Sequence, residues 1–191
     1  MRRCCLAWIP LLALLCAAPT LAAEPAAARA PAYDWDRPWL VAMQLAVGTN
    51  KLDGTNVGLK LGAINLGDDD DTTPLVGWRH SLLIGRDPTI WGLDTGLFNL
   101  TTRELRGLQV GLINANQGDA RGAVVGLSNW TEERMDGFQA GGVNVINGKG
   151  RSLQIGLINS ANDLEGVQLG LLNLNLSGGP LAFFPLINVG W

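Results

Sequence analysis

The chain has 191 residues, with 17 acidic against 14 basic side chains, a formal net charge of −3, and 25 glycines. No basic patch or stripe runs along it, which argues against a nucleic-acid partner. All three cysteines, Cys4, Cys5 and Cys16, stand near its start, so a disulfide framework or a cysteine-rich metal site is excluded for the remainder.

Arg2 and Arg3 are followed by an apolar run from Leu6 to Ala18 and by the small residues around Ala22 and Ala23. This pattern predicts a secretory signal peptide over residues 1–23, since the run is shorter than the ~20 residues of a spanning helix. Leu15 is bulky where lipid attachment at Cys16 wants a small residue. Residues 24–38, "EPAAARAPAYDWDRP", have no period and are expected to form a flexible lead-in. Residues 39–191 suffice for one domain.

From Trp39 onward the pattern alternates by two, as strands do. Strands are expected over 39–48, 55–66, 75–85, 90–100, 105–115, 120–130, 135–145, 150–160, 165–175 and 181–191. One face is apolar, as in Leu108, Val110 and Leu112. The other carries glycines around one polar residue, and that residue is Gln44, Lys60, Arg79, Asp94, Gln109, Gln139, Gln154 or Gln168. The units recur at a fixed interval. Asn99, Asn114, Asn129, Asn144 and Asn159 are each fifteen apart, Asn173 follows after fourteen and Asn188 after fifteen more, and Asn50 and Asn65 fit the interval in front. These asparagines are expected to start turns at the rim of the apolar band. The segment Gly67 to Pro74 holds Asp68–Asp71. Aspartates can ligate calcium, but the spacing is not that of an EF-hand loop, so a solvated acidic turn is expected, and no cofactor.

Two architectures satisfy the period: an antiparallel up-and-down β-barrel with one strand and one turn per unit, and a β-solenoid with one fifteen-residue coil per unit. A coil needs apolar residues inward all the way round. The segments "ANQGDAR", "WTEERMD", "VINGKGR" and "SANDLE" offer no column that stays apolar, which favours the barrel. Folded as hairpins, Gln109 faces Gly126, Gln139 faces Gly156, Gln154 faces Gly141, and Val110 meets Val125. About ten strands is an even count, as in bacterial outer-membrane barrels. The apolar face would then meet membrane lipid, and the polar set would fill a lumen too narrow for a general pore.

The repeats "GLQVGLIN", "SLQIGLIN" and "GVQLGLLN", with "FFPLINVGW" at the end, resemble those of a group of bacterial surface-repeat proteins. The resemblance implies an exported, envelope-associated protein and transfers no catalytic residue. The last segment also looks like the C-terminal recognition strand of outer-membrane barrels. That likeness implies engagement of the outer-membrane assembly machinery. Trp191 is expected to face lipid, through a one-residue bulge, for which Pro185 offers a place, or a different turn at "SGGP" that flips the parity. Chemistry is sparse. The single histidine, His80, points away from Ser81 and Asp94 by alternation, and no G-x-S-x-G, P-loop or zinc pattern is present. The expected role is structural, at the bacterial outer membrane, with no enzyme activity. The alternative is a soluble exported β-solenoid binding module, periplasmic or secreted.

Overall fold

The computed structural model describes residues 48–49, 56–67, 74–176 and 183–190. These form β1 (Gly48–Thr49), β2 (Asn56–Leu66), β3 (Leu75–Asn116), β4 (Asp119–Thr131), β5 (Arg134–Leu164), β6 (Gly166–Asn175) and β7 (Phe183–Gly190). The seven lie in one sheet in sequence order. All pairs from β1 to β6 are parallel, and only β6 and β7 run antiparallel. At 42 and 31 residues, β3 and β5 far exceed an ordinary strand because the chain stays extended through corners. The result is a β-solenoid of about seven turns.

This overturns the antiparallel ten-strand barrel. Gln109 lies beside Val124 rather than Gly126, and Gln139 also lies beside Val124. Val110 does pair with Val125, but in parallel. That contact is common to both architectures. The physical reason is register. A parallel stack offset by fifteen sets like on like at every position at once: Gly107, Gly122 and Gly137 in one column, Asn114, Asn129 and Asn144 in another. Hairpins would set unlike residues together and leave the amides without mates.

Two local features close the coil. Leu112 and Ile113 both avoid the interior, and Asn114 after them is buried, so the alternation changes phase at the Gly-Leu-x-Asn step. Gly107 takes φ +130°, and the flanking Leu105 and Gln109 both point inward. Each coil therefore turns its corners within what a period-two pattern treats as one straight strand.

An apolar column does run up the inside. Ile90, Leu105, Ala120 and Met135 are fully buried at fifteen-residue spacing, and Leu164 rejoins them after Gly150. Gly150 hid the column, as did the shortening of the last unit, where Leu153 pairs with Val167. The gap at Gly150 is taken by Ile146, whose Cδ1 lies 2.9 Å from where a Cβ would stand. The opposite interior column, Thr101, Asn116, Thr131, Ile146 and Ala161, is also buried.

The first coils are longer. Gly62 pairs with Ser81 but Ile64 with Ile84, a bulge that sets Leu82 and Leu83 opposite Ala63. β7 is the closing strand of the solenoid, not the last strand of a barrel. Asn188 pairs with Gln168, so it does not continue the asparagine column as its spacing suggested. The signal peptide, the lead-in, Gln44, Asp68–Asp71 and Trp191 lie outside the described residues.

Candidate binding face

The polar residues expected in a lumen stand instead inside the coils, one above another. Lys60 pairs with Arg79, Val124 lies between Gln109 and Gln139, Gln154 pairs with Gln168, and Asn188 closes the column. Arg79, Asp94, Gln109, Gln139, Gln154 and Gln168 are fully buried.

At the front of this column the charges balance. Arg79 donates from Nε and Nη2 to the two Asp94 oxygens at 2.7 and 2.6 Å, and from Nη1 to Asp87 at 3.0 Å. Lys60 Nζ reaches the other Asp87 oxygen at 2.6 Å. Burial alone would lower the Arg79 pKa. Attraction to Asp94 and Asp87, with their hydrogen bonds, outweighs burial and raises it. Gln109 then donates to Asp94 at 2.8 Å and accepts from Asn116 at 2.9 Å.

Farther along, amides replace ions. Gln168 donates to Gln154, Gln154 to Gln139, and Gln139 to the Thr131 hydroxyl, at 2.7, 3.0 and 3.0 Å. The asparagines form a second ladder of opposite direction. Asn99 donates to Asn114, and so on through Asn129, Asn144 and Asn159 to Asn173, each at 2.8–2.9 Å. Each amide also bonds a backbone carbonyl of the next coil. The asparagines are thus interior, not turn starters at an apolar rim. The glycine three places earlier makes the room. A Cβ at Gly111 would lie 2.5 Å from Asn99 Nδ2 and 2.7 Å from Asn114 Oδ1.

With the polar groups inside, the apolar alternates face out. From Leu93 to Leu172 the outward positions of this wall form rows such as Leu108-Val110-Leu112 and Leu153-Ile155-Leu157. None carries a charge, and only Thr95 and Ser128 are polar. Leu97, Leu108, Val110, Leu112, Leu127, Leu153, Ile155, Leu157 and Leu171 are 37–62% exposed. Ile187 and Val189 of β7, opposite Leu169 and Val167, continue the face past the last coil. Single exposed leucines are ordinary on a soluble protein, whereas a contiguous sheet of them marks an interaction surface.

The charges gather at the other corners. Glu104 binds Arg106 at 2.8 Å and Arg121 at 3.5 Å, while Arg121 also meets Asp119 and Asp136. Lys149 and Arg151 bind Glu165 at 3.2 and 3.4 Å. Arg106 also lies 4.8 Å over the Trp91 ring.

His80 Nδ1 lies 2.9 Å from the Thr95 hydroxyl, to which Trp78 Nε1 also donates. Ser81 is on the inner wall and accepts from Asn65 Nδ2 at 2.7 Å. Among the described residues no group of three His, Cys, Asp or Glu could hold a metal ion. Sequence reasoning separated the two faces, and its solenoid alternative stacks Asn and Gln into ladders, but the barrel it preferred put the asparagines at turn starts. The signal for an interior asparagine ladder was there: three steps from Gly to Asn is odd, so the two cannot share a wall unless the chain bends between them. No family model, curated protein or solved structure matches the chain.

Proposed function

We propose that this protein is an exported, non-catalytic binding module. The β-solenoid serves as a rigid support, and the uncharged apolar wall is the surface that meets a partner. The observation that carries this reading is the continuity of that wall: no charge interrupts its outward positions from Leu93 to Leu172. Export is supported by the leader-like segment over residues 1–23 and by the likeness of the repeats to those of bacterial surface proteins.

The test is fractionation of cells making the full chain, alongside a Leu127→Glu/Leu157→Glu variant. Both leucines are highly exposed, so the variant should fold as the parent does by circular dichroism. The parent should leave the cytosol with its leader removed and, diluted until it is monomeric, bind an anilinonaphthalene dye strongly, and the variant should lose most of the dye signal. An unprocessed cytosolic chain counts against export. Equal dye binding by both proteins counts against the wall as the binding surface.

A further inference from the structure

We propose that the apolar wall is the interface of a two-fold dimer of this chain. This deepens the reading above and rests on it. The exposed side chains of the wall leave on the order of 1,000 Å² of apolar surface, against the few hundred Å² usual for a monomer. One partner in a stable protein–protein interface contributes about 800 Å². The wall therefore offers what a dimer needs.

Charge selects the occupant. A lipid surface is held by cations free to meet anionic headgroups beside the apolar residues. Here Arg106, Arg121 and Arg151, beside the wall, are each engaged by carboxylates, and the whole chain is net acidic at −3. A second copy needs no such cations. Because the wall carries no charge, two copies meet there without repulsion despite their like net charge. The relief is also self-complementary in kind. Bulky Leu112 and Leu157 stand in the same column as Gly142, and Ala140 lies in the next, so ridges of one sheet can enter hollows of the other at the usual ~10 Å separation.

Sedimentation equilibrium of the full chain tests this, with flotation on phosphatidylcholine–phosphatidylglycerol vesicles run in parallel. The parent should have twice the monomer mass and should not float. Val110→Glu/Ile155→Glu should weaken the dimer at least about a hundredfold, because two-fold symmetry places each carboxylate in the interface twice. Should that variant misfold, Val110→Thr/Ile155→Thr keeps β-branched residues and should weaken the dimer about tenfold. Arg121→Ala, off the wall, should leave it intact. A monomeric parent that floats with vesicles overturns the dimer and spares the binding wall. A monomer that ignores vesicles, and whose dye binding is untouched by Leu127→Glu/Leu157→Glu, overturns both. A dimer that survives the Val110 and Ile155 changes overturns the proposal, because it uses another surface.

Discussion

Gly122 has φ +128°, and a Cβ there would lie 2.1 Å from the carbonyl oxygen of Gly107. The same contact recurs one coil away at Gly107 and at Gly137, so the column admits a side chain only if the corner itself moves. Gly122→Ala should cost about 2–4 kcal/mol in denaturant titration. Gly142→Ala should cost under about 1 kcal/mol, since its nearest neighbours, at 3.0 and 3.1 Å, are the Leu127 carbonyl and the pliable end of that leucine. Ser152 stands in the same column, and among the described residues Leu186 alone of the non-glycines has positive φ, so the corner does bend there. The asparagine ladder grades its own members. Asn129 accepts from Asn114 and donates to Asn144 and to the Ala140 carbonyl. Asn99 heads the ladder, and its Oδ1 is buried without a partner. Asn129→Ala should therefore cost about 3 kcal/mol and Asn99→Ala about 1–2 kcal/mol, measured by thermal melts.

At the scale of strands, the ions joining β2 to β3 make a sharper case. Lys60, Arg79, Asp87 and Asp94 sum to zero charge. Removing Arg79 or Asp94 alone leaves an unbalanced buried charge, whereas Arg79→Leu/Asp94→Leu leaves the Lys60–Asp87 pair neutral. Each single change should cost about 3–5 kcal/mol, and the double change less than either single one. A double-mutant cycle in urea checks this. The raised Arg79 pKa means that its share of stability is whole below the ordinary arginine value and is lost only as pH rises through the higher folded value. The Arg79 term should stay flat from pH 5 to pH 9. Strands also mark where the sequence was legible. The separation into a glycine-and-glutamine wall and a leucine wall could be read because neighbours in an extended run alternate. The direction of pairing could not. Val110 meets Val125 in either arrangement, and the corner at Leu112 and Ile113 carries no proline or turn dipeptide to announce it. The apolar column through Leu105, Ala120 and Met135 was obscured for a simpler reason: its members vary in size, down to Gly150, where Ile146 fills the space. β7 completes this scale. Its Asn188 bonds Gln168 and its Phe184 carbonyl accepts from Asn173, so it satisfies the open ends of both ladders. Deleting residues 183–191 would bare the β6 edge. The truncated chain should aggregate at concentrations where the parent stays clear by light scattering.

For the whole molecule, the coil is the unit of change. Removing residues 122–136 joins Arg121 to Gly137 and sets Gln139 directly on Gln109, eliminating the break at Val124. The shortened protein should fold and melt in a single transition, whereas deleting Val125 alone should abolish folding by turning the rest of that wall inside out. Circular dichroism separates the two outcomes. The one-residue shortening already present between Ile146–Ser152 and Ala161–Gly166 lies at a corner, where no wall is inverted. The stacking has a last consequence, which concerns time. Each parallel pair between strands joins residues only 14 to 20 positions apart, from Leu153 with Val167 to Ile64 with Ile84. No strand must wait for a distant partner, so loop closure is short and nearly equal at every step. A chain emerging from a ribosome or a translocation pore can lay each coil on its predecessor as soon as some fifteen residues are free, with the reversed β7 added after β6.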